Sequence, residues 1–199
     1  MEGSIEIHHD GSKEWLNELG QTHREDGPAI EGYDGTMEWY FNNIRHRDDG
    51  PAIEFKNGSK EWWINGRKTK ELKIDRSGAK VWWNGQGEIH CDDGPAVEES
   101  YGTKRWMRHS LLHRTDGPAL IRANGDQYWY VHGKLHRENG PAVEYINGSK
   151  FWFKHGELHR EDGPAVIAPN GAAMWYFDGN LIRQSGVDKN FNSSIMSFV

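Results

Sequence analysis

The tripeptide Gly-Pro-Ala recurs with its Gly at positions 27, 50, 94, 117, 140 and 163, so successive copies are 23, 44, 23, 23 and 23 residues apart. The step of 44 is one unit plus one shortened by two. A second marker carries the period through that gap: a Gly followed four positions later by a Trp. It occurs as Gly11/Trp15, Gly35/Trp39, Gly58/Trp62, Gly78/Trp82, Gly102/Trp106, Gly125/Trp129, Gly148/Trp152 and Gly171/Trp175. A fixed period of this size implies repeats, each burying its apolar face only against its neighbours.

Residues 142–164 show the unit most plainly. Ala-Val-Glu-Tyr is a β-prone run, and Asn147-Gly148 signals a two-residue hairpin turn with both central residues at positive φ. Lys-Phe-Trp-Phe returns, and a second tight turn is expected where Gly66, Gly133, Gly156 and Gly179 follow Asn, His or Asp. Glu-Leu-His-Arg forms a third short strand, and Asp-Gly-Pro closes the unit, since Pro removes a ladder donor. Residues that flank a two-residue turn pair symmetrically. This places Val143, Trp152 and His159 in one row, with Leu120–Trp129–His136, Ile30–Trp39–His46 and Val97–Trp106–His113 as its equivalents. Alternation puts Ala142, Phe153 and Leu158 on the other face. We therefore expect a structural column of Trp39, Trp62, Trp106, Trp129, Trp152 and Trp175, supported by His46, His113, His136 and His159. On the opposite face Tyr40, Trp63, Trp83, Tyr130, Phe153 and Tyr176 form an aromatic stripe. If left uncovered, such a stripe is a contact surface for a partner.

Only 35% of the chain is hydrophobic, whereas Gly numbers 24 and Trp 10. This suits a turn-rich β array in which large aromatics supply most of the buried area. A net charge of −6 argues against nucleic acid or an anionic membrane as partner. One cysteine, Cys91, allows no intrachain disulfide. No apolar run approaches the roughly 20 residues that span a bilayer, and no secretory segment is evident at the start. A cytoplasmic protein, or one of the host cytoplasm if viral, is the expectation.

Residues 1–26 read as an incomplete capping repeat and 27–66 as regular. Residues 67–87 are a degenerate repeat in which Thr69-Lys70 stands where His-Arg is expected. This repeat is dense in Arg67, Lys68, Lys70, Lys73, Arg76 and Lys80, either as a local irregularity of the sheet or as an exposed basic patch. Residues 88–183 return to register. Residues 184–199 form a tail whose Ile195, Met196, Phe198 and Val199 are placed to cover the last sheet edge.

The period, the hairpin unit and the wording Tyr130-Val131-His132-Gly133-Lys134-Leu135-His136 resemble MORN-type repeats over roughly residues 5–183. His-Arg-x-Asp-Gly-Pro-Ala stands where MORN repeats have His-Gly-x-Gly. The array is most similar to divergent arrays in open reading frames of large bacteriophages, giant viruses and some bacteria. The resemblance implies a non-catalytic scaffold or contact module.

The His-x-x-Asp motif, in His23/Asp26, His46/Asp49, His90/Asp93, His113/Asp116 and His159/Asp162, invites a metal reading. Copies two or three strands apart lie roughly 10–14 Å from each other at about 4.8 Å per strand. Ligand nitrogens must all come within roughly 2.1 Å of one ion. The motif is therefore structural, with each His against its Trp and the closing turn. The ladder Arg24, Arg47, Arg114, Arg137 and Arg160 is followed by acidic residues that fix the turn through forked pairs, where the alternative is a phosphate-reading stripe. Cys91 and His90 are adjacent on a strand and point to opposite faces, which defeats a Cys–His nucleophile.

The sequence thus specifies an all-β, single-domain, elongated twisted meander of about eight 23-residue hairpin repeats, with no enzyme activity, cofactor or metal. Its expected function is to bind another protein through an extended aromatic face, with a phage or viral protein acting on a host factor as one form of this. Self-association is open. The alternative is a small-ligand or nucleotide-sequestering protein that uses the Trp, His and Arg surfaces.

Overall fold

The computed structural model describes residues 3–186. It is all-β, a meander of antiparallel hairpins with no helix among the described residues. The chain divides into two compact units with the boundary after Ser100. In the first, strands Ser4–Ile7, Lys13–Leu16, Ile30–Glu31, Met37–Glu38, Ile53–Glu54, Lys60–Ile64, Arg67–Ile74, Lys80–Asn84 and Val97–Glu98 pair in sequence order. The second runs likewise through Lys104–Arg105, Leu120–Ile121, Gln127–Tyr128, Val143–Glu144, Lys150–Phe151, Val166–Ile167, Ala173–Phe177 and Asn180–Ser185. Short hairpins hang from these ladders, among them Tyr40–Phe41 with Ile44–Arg45 and Phe153–Lys154 with Glu157–Leu158.

The two turns of a repeat differ in kind. In the first, Gly148 N–H donates to the Tyr145 carbonyl, and Tyr145 N–H donates to that of Ser149. Three residues therefore form the loop, and only Gly148 has positive φ, at 90°. Asn147 stays at negative φ and its side chain accepts the Ser149 N–H at 2.9 Å, as Asx side chains do in turns. The expected two-residue turn is thus one residue too short. Val143 lies opposite Phe151, Leu120 opposite Tyr128 and Ile30 opposite Glu38, so no Trp enters that row. A slip of one residue moves side chains to the other face. The second turn does have two residues, with His155 at φ 54° and Gly156 at 95°. It pairs Phe153 with Leu158, and His159 N–H donates to the Trp152 carbonyl. The Trp–His half of each expected row is present.

Six tryptophans mark residues where the chain turns to a new partner. Trp152 N–H donates forward to the Ala165 carbonyl, and the same bond joins Trp15 to Ala29, Trp39 to Ala52, Trp82 to Ala96, Trp106 to Ala119 and Trp129 to Ala142. The Ala of every Gly-Pro-Ala is fully buried, at 0% exposure. The deepest layer is these alanines with Ile53, Val97, Val143 and Val166, and in the second unit also Tyr128, Phe153, Leu158 and Met174. All ten tryptophans are only half-buried. The Trp column lines the core, and smaller side chains occupy its centre.

Five of the tryptophans carry an arginine of the same repeat over the ring. The guanidinium carbon of Arg24 lies 4.4 Å from the ring centre of Trp15, Arg47 4.1 Å from Trp39, Arg114 4.2 Å from Trp106, Arg137 3.9 Å from Trp129 and Arg160 4.1 Å from Trp152. Nε of Arg160 donates to Asp162 at 2.8 Å and its NH1 to the Pro164 carbonyl at 3.3 Å. Arg24, Arg47 and Arg114 repeat both bonds, while Arg137, followed by Asn139, turns to Glu144 at 2.7 Å. The Gly of Gly-Pro-Ala makes room for this clamp. A Cβ on Gly27, Gly117 or Gly140 would stand 2.9–3.0 Å from the guanidinium carbon. In the motif at 90–93 Cys91 replaces the arginine, and a Cβ on Gly94 would meet nothing within 4 Å.

Repeat 67–87 replaces the short hairpin and closing turn with one eight-residue strand, Arg67–Ile74, paired on both sides. Its lysines serve as substitute clamps. Lys70 Nζ lies 5.2 Å from the Trp62 ring and 4.5 Å from that of Trp82, and Lys68 pairs with Glu71 at 3.0 Å. At the far end the last strand runs to Ser185, two residues past the expected end of the array, and Arg183 covers Trp175 at 4.6 Å. The expected cover by Ile195, Met196, Phe198 and Val199 lies outside the described residues.

The clamp predicts an asymmetric pair of glycine substitutions. Gly117→Ala displaces Arg114 from Trp106 and should lose about 1 kcal/mol, the scale of one partly desolvated cation–π contact. At this chain length that is a fall of roughly 2–4 °C in Tm. Gly94→Ala, with no arginine beside it, should leave the melting curve within a degree. Equal shifts for the two would show that the glycines serve something other than the clamp.

Candidate interaction site

Of the aromatic stripe, Phe153 is buried and Tyr40, Trp63, Trp83, Tyr130 and Tyr176 are half-buried. Phe153 is 7% exposed and sits in the core cluster with Val143, Leu158 and Val166, while Tyr130 and Tyr176 pack against that cluster. In the first unit the Tyr40 hydroxyl donates to Glu38 at 3.1 Å and accepts from Arg45 at 2.7 Å, and Trp63 Nε1 donates to Glu61 at 2.7 Å. Trp83 is likewise half-buried. Phe153 is therefore core and cannot serve as contact surface, because the short hairpin that carries it packs onto the main-ladder strands. The side chains that alternate with the stripe face solvent instead: Phe41 is 46% exposed, Leu111 49% and Phe177 48%. Strand alternation within the second hairpin was the signal for them.

Each repeat histidine has a fixed part. Nδ1 of His23, His46, His113, His136 and His159 accepts the backbone N–H of Asn42, Asn65, His132, His155 and Asp178, nineteen residues on, at 3.2–3.3 Å. Nε2 faces an acid two residues on: Asp48 lies 3.3 Å from His46, Asp92 3.2 Å from His90 and Glu161 3.5 Å from His159. The rings contact the next turn, His136 stacked on His155 at 4.4 Å and His23 tilted against Phe41 at 4.7 Å. The histidine thus ties one repeat to the next, a role wider than support of its own Trp. In the last repeat the Asp178 carboxylate also approaches His159 Nδ1, at 2.7 Å. Hydrogen bonds from the clamp arginines hold the carboxyls of Asp26, Asp49, Asp116 and Asp162 below the usual range. Arginine, histidine and aspartate are therefore already engaged within the fold.

Between successive His-Arg turns the surface opens into clefts at equivalent repeat positions. In the first unit a cleft of about 860 Å³ has Trp39, Tyr40 and Phe41 for its floor, with Glu25, Asp26, Asp48 and Asp49 on its walls. In the second unit a cleft of about 700 Å³ has Trp152, Phe153 and Lys154 in the floor position, with Glu138, Asn139, Glu161 and Asp162 on its walls. Glu25, Asp26, Asp48 and Asp49 are all more than four-fifths exposed. Among the described residues one group of metal-type donors comes together away from the His-x-x-Asp motifs. Glu6, His8 and Glu14 lie with ligand atoms within 4.8 Å of one another, on the exposed first hairpin.

The chain matches no protein-family model, and no curated protein matches it. Among solved structures it is similar to the wild-type TCP10 domain of Danio rerio CPAP, with a TM-score of 0.32 and 13% identity over 92% of this chain and 100% of that one. It is also similar to the G-box domain of the microcephaly protein CPAP, whose structural analysis suggests a role in centriole elongation. There the TM-score is 0.29, with 15% identity over 94% of this chain and 99% of that one. Overlap at these scores assigns no role to this chain.

The histidine bonds predict acid lability. Burial, aided by His132 and Arg108, holds His113 below its ordinary value of 6.5. Burial holds His136 down as well, with His155 and Lys154 adding and Glu138 opposing. The fold therefore prefers both rings neutral. Their contribution is complete above about pH 6.5 and is lost as pH falls through the lowered native values. Tm should drop as pH is taken from 7.5 to 5, and His136→Asn, which keeps an acceptor but cannot protonate, should flatten part of that slope. An unchanged slope in the variant would show that the titrating groups lie elsewhere.

Proposed function

We propose that the protein is a non-enzymatic interaction module that binds an extended segment of another protein in the clefts between successive His-Arg turns. The observation that carries this reading is recurrence of the cleft at the same repeat position in both units, each time with an aromatic floor and polar walls. Repeat arrays build binding surfaces in this way, from a constant scaffold and side chains that differ from copy to copy. Phe41 in one cleft is Lys154 at its head in the other. The resemblance to MORN-type arrays agrees with this reading, and a phage or viral protein acting on a host factor in the cytoplasm is its narrower form. Nucleotide sequestration is disfavoured by the arginines. Five of them stack on tryptophan and donate to a proline carbonyl of their own turn, which leaves little of the guanidinium for phosphate.

Selection of random peptides against the purified protein tests the reading. Enriched peptides should bind Phe41→Ser at least tenfold more weakly, with its β spectrum and Tm retained. Binders indifferent to every cleft substitution, or no binders at all, would overturn it.

A further inference from the structure

We infer that the cleft of the first unit takes a basic segment, with a lysine or arginine side chain seated between its walls; the inference rests on the interaction-module reading. Its lining holds four carboxylates, Glu25, Asp26, Asp48 and Asp49, against two guanidinium groups, Arg24 and Arg47. Asp26 and Asp49 are each bonded to one of those arginines at 2.8 Å. That leaves Glu25 and Asp48, 81% and 83% exposed, as charge in excess. Their nearest basic groups are the rings of His23 at 3.8 Å and His46 at 3.3 Å. Both rings already accept a backbone N–H on Nδ1. The walls belong to consecutive repeats, two ladder strands apart, or roughly 10 Å at about 4.8 Å per strand. An extended chain fits that gap with one long side chain pointing down.

The floor suits such a side chain. One face of Trp39 is occupied by Arg47, and the His23 ring lies tilted 4.7 Å from Phe41. Phe41 is still 46% exposed, which leaves apolar surface for an aliphatic stem. Lysine and arginine lay their stems along such surface while the charged head stays polar. The head then lies between Glu25 and Asp48, and the same walls repel phosphate and acidic peptides.

The second unit supplies an internal control. Its cleft offers three carboxylates, Glu138, Glu161 and Asp162, against three cations, Arg137, Arg160 and Lys154. The architecture is the same but the excess charge is gone, and a lysine stands at the floor. Preference for basic segments therefore belongs to the first unit.

The test is calorimetric titration of the intact protein with two synthetic peptides, one alternating lysine with leucine and its glutamate counterpart. The lysine peptide should bind and the glutamate peptide should not. Binding should weaken about tenfold for Glu25→Gln with Asp48→Asn, and again when salt is raised from 50 to 500 mM. Glu138→Gln with Glu161→Gln should change it less than twofold. Should selected peptides bind at Phe41 yet prove acidic or uncharged, the inference fails while the interaction-module reading stands. Should no peptide bind at all, both fall. Equal loss from the two carboxylate pairs would overturn the assignment to the first unit.

Discussion

The guanidinium–indole stack is the contact on which the repeat depends. The main strands are mostly two residues long, too short to hold a sheet by ladder bonds alone. In five repeats the return strand leads instead to a Trp whose N–H reaches the next alanine and whose ring is stacked by an arginine. That arginine also reaches the proline carbonyl just before the same alanine. One side chain therefore fixes the Trp, the closing turn and the start of the following strand together. The neighbouring glycine is small because the guanidinium lies against it, and the alanine is small because the chain is tightest there.

Substitutions within the chain support this view of the clamp. Where His-Arg is missing, Lys70 reaches two indoles at once. Where the array ends, Arg183 reaches Trp175 from the last strand. Where Cys91 stands for arginine, the crowding at Gly94 disappears. A cation over each of these indoles is kept across three different local backbones, so the contact matters more than the motif that usually supplies it.

The repeat length, the all-β class and the second turn could be read from the chain because each depends on local residue chemistry. The first turn could not. Asn-Gly suits a two-residue turn in isolation, but the Asx side chain is used to accept the N–H two residues on, which favours the longer loop. One residue of difference moved the tryptophans out of the expected row. Asn42-Asn43 and His109-Ser110 adopt the same positive φ as His155-Gly156 without a glycine, so counting glycines undercounts the second turn. The glycines of Gly-Pro-Ala invite the opposite error. Among them only Gly140 has positive φ, and their reason is space. The burial of Phe153 was hidden because alternation gives a face but not what covers it. The clefts were hidden because their walls are 23 residues apart.

The histidine bond gives the array a direction. The Nδ1 of His23, His46, His113, His136 and His159 accepts from the turn that follows. Loss of a repeat from the trailing end would strip that nitrogen of its donor and leave the preceding repeat with an unmet acceptor. Loss from the leading end would instead free the Asn42 amide that His23 accepts, along with the Ala29 and Tyr40 carbonyls that bond the same repeat. The two ends of the array thus expose different groups, and an imidazole loses its donor at the trailing one alone.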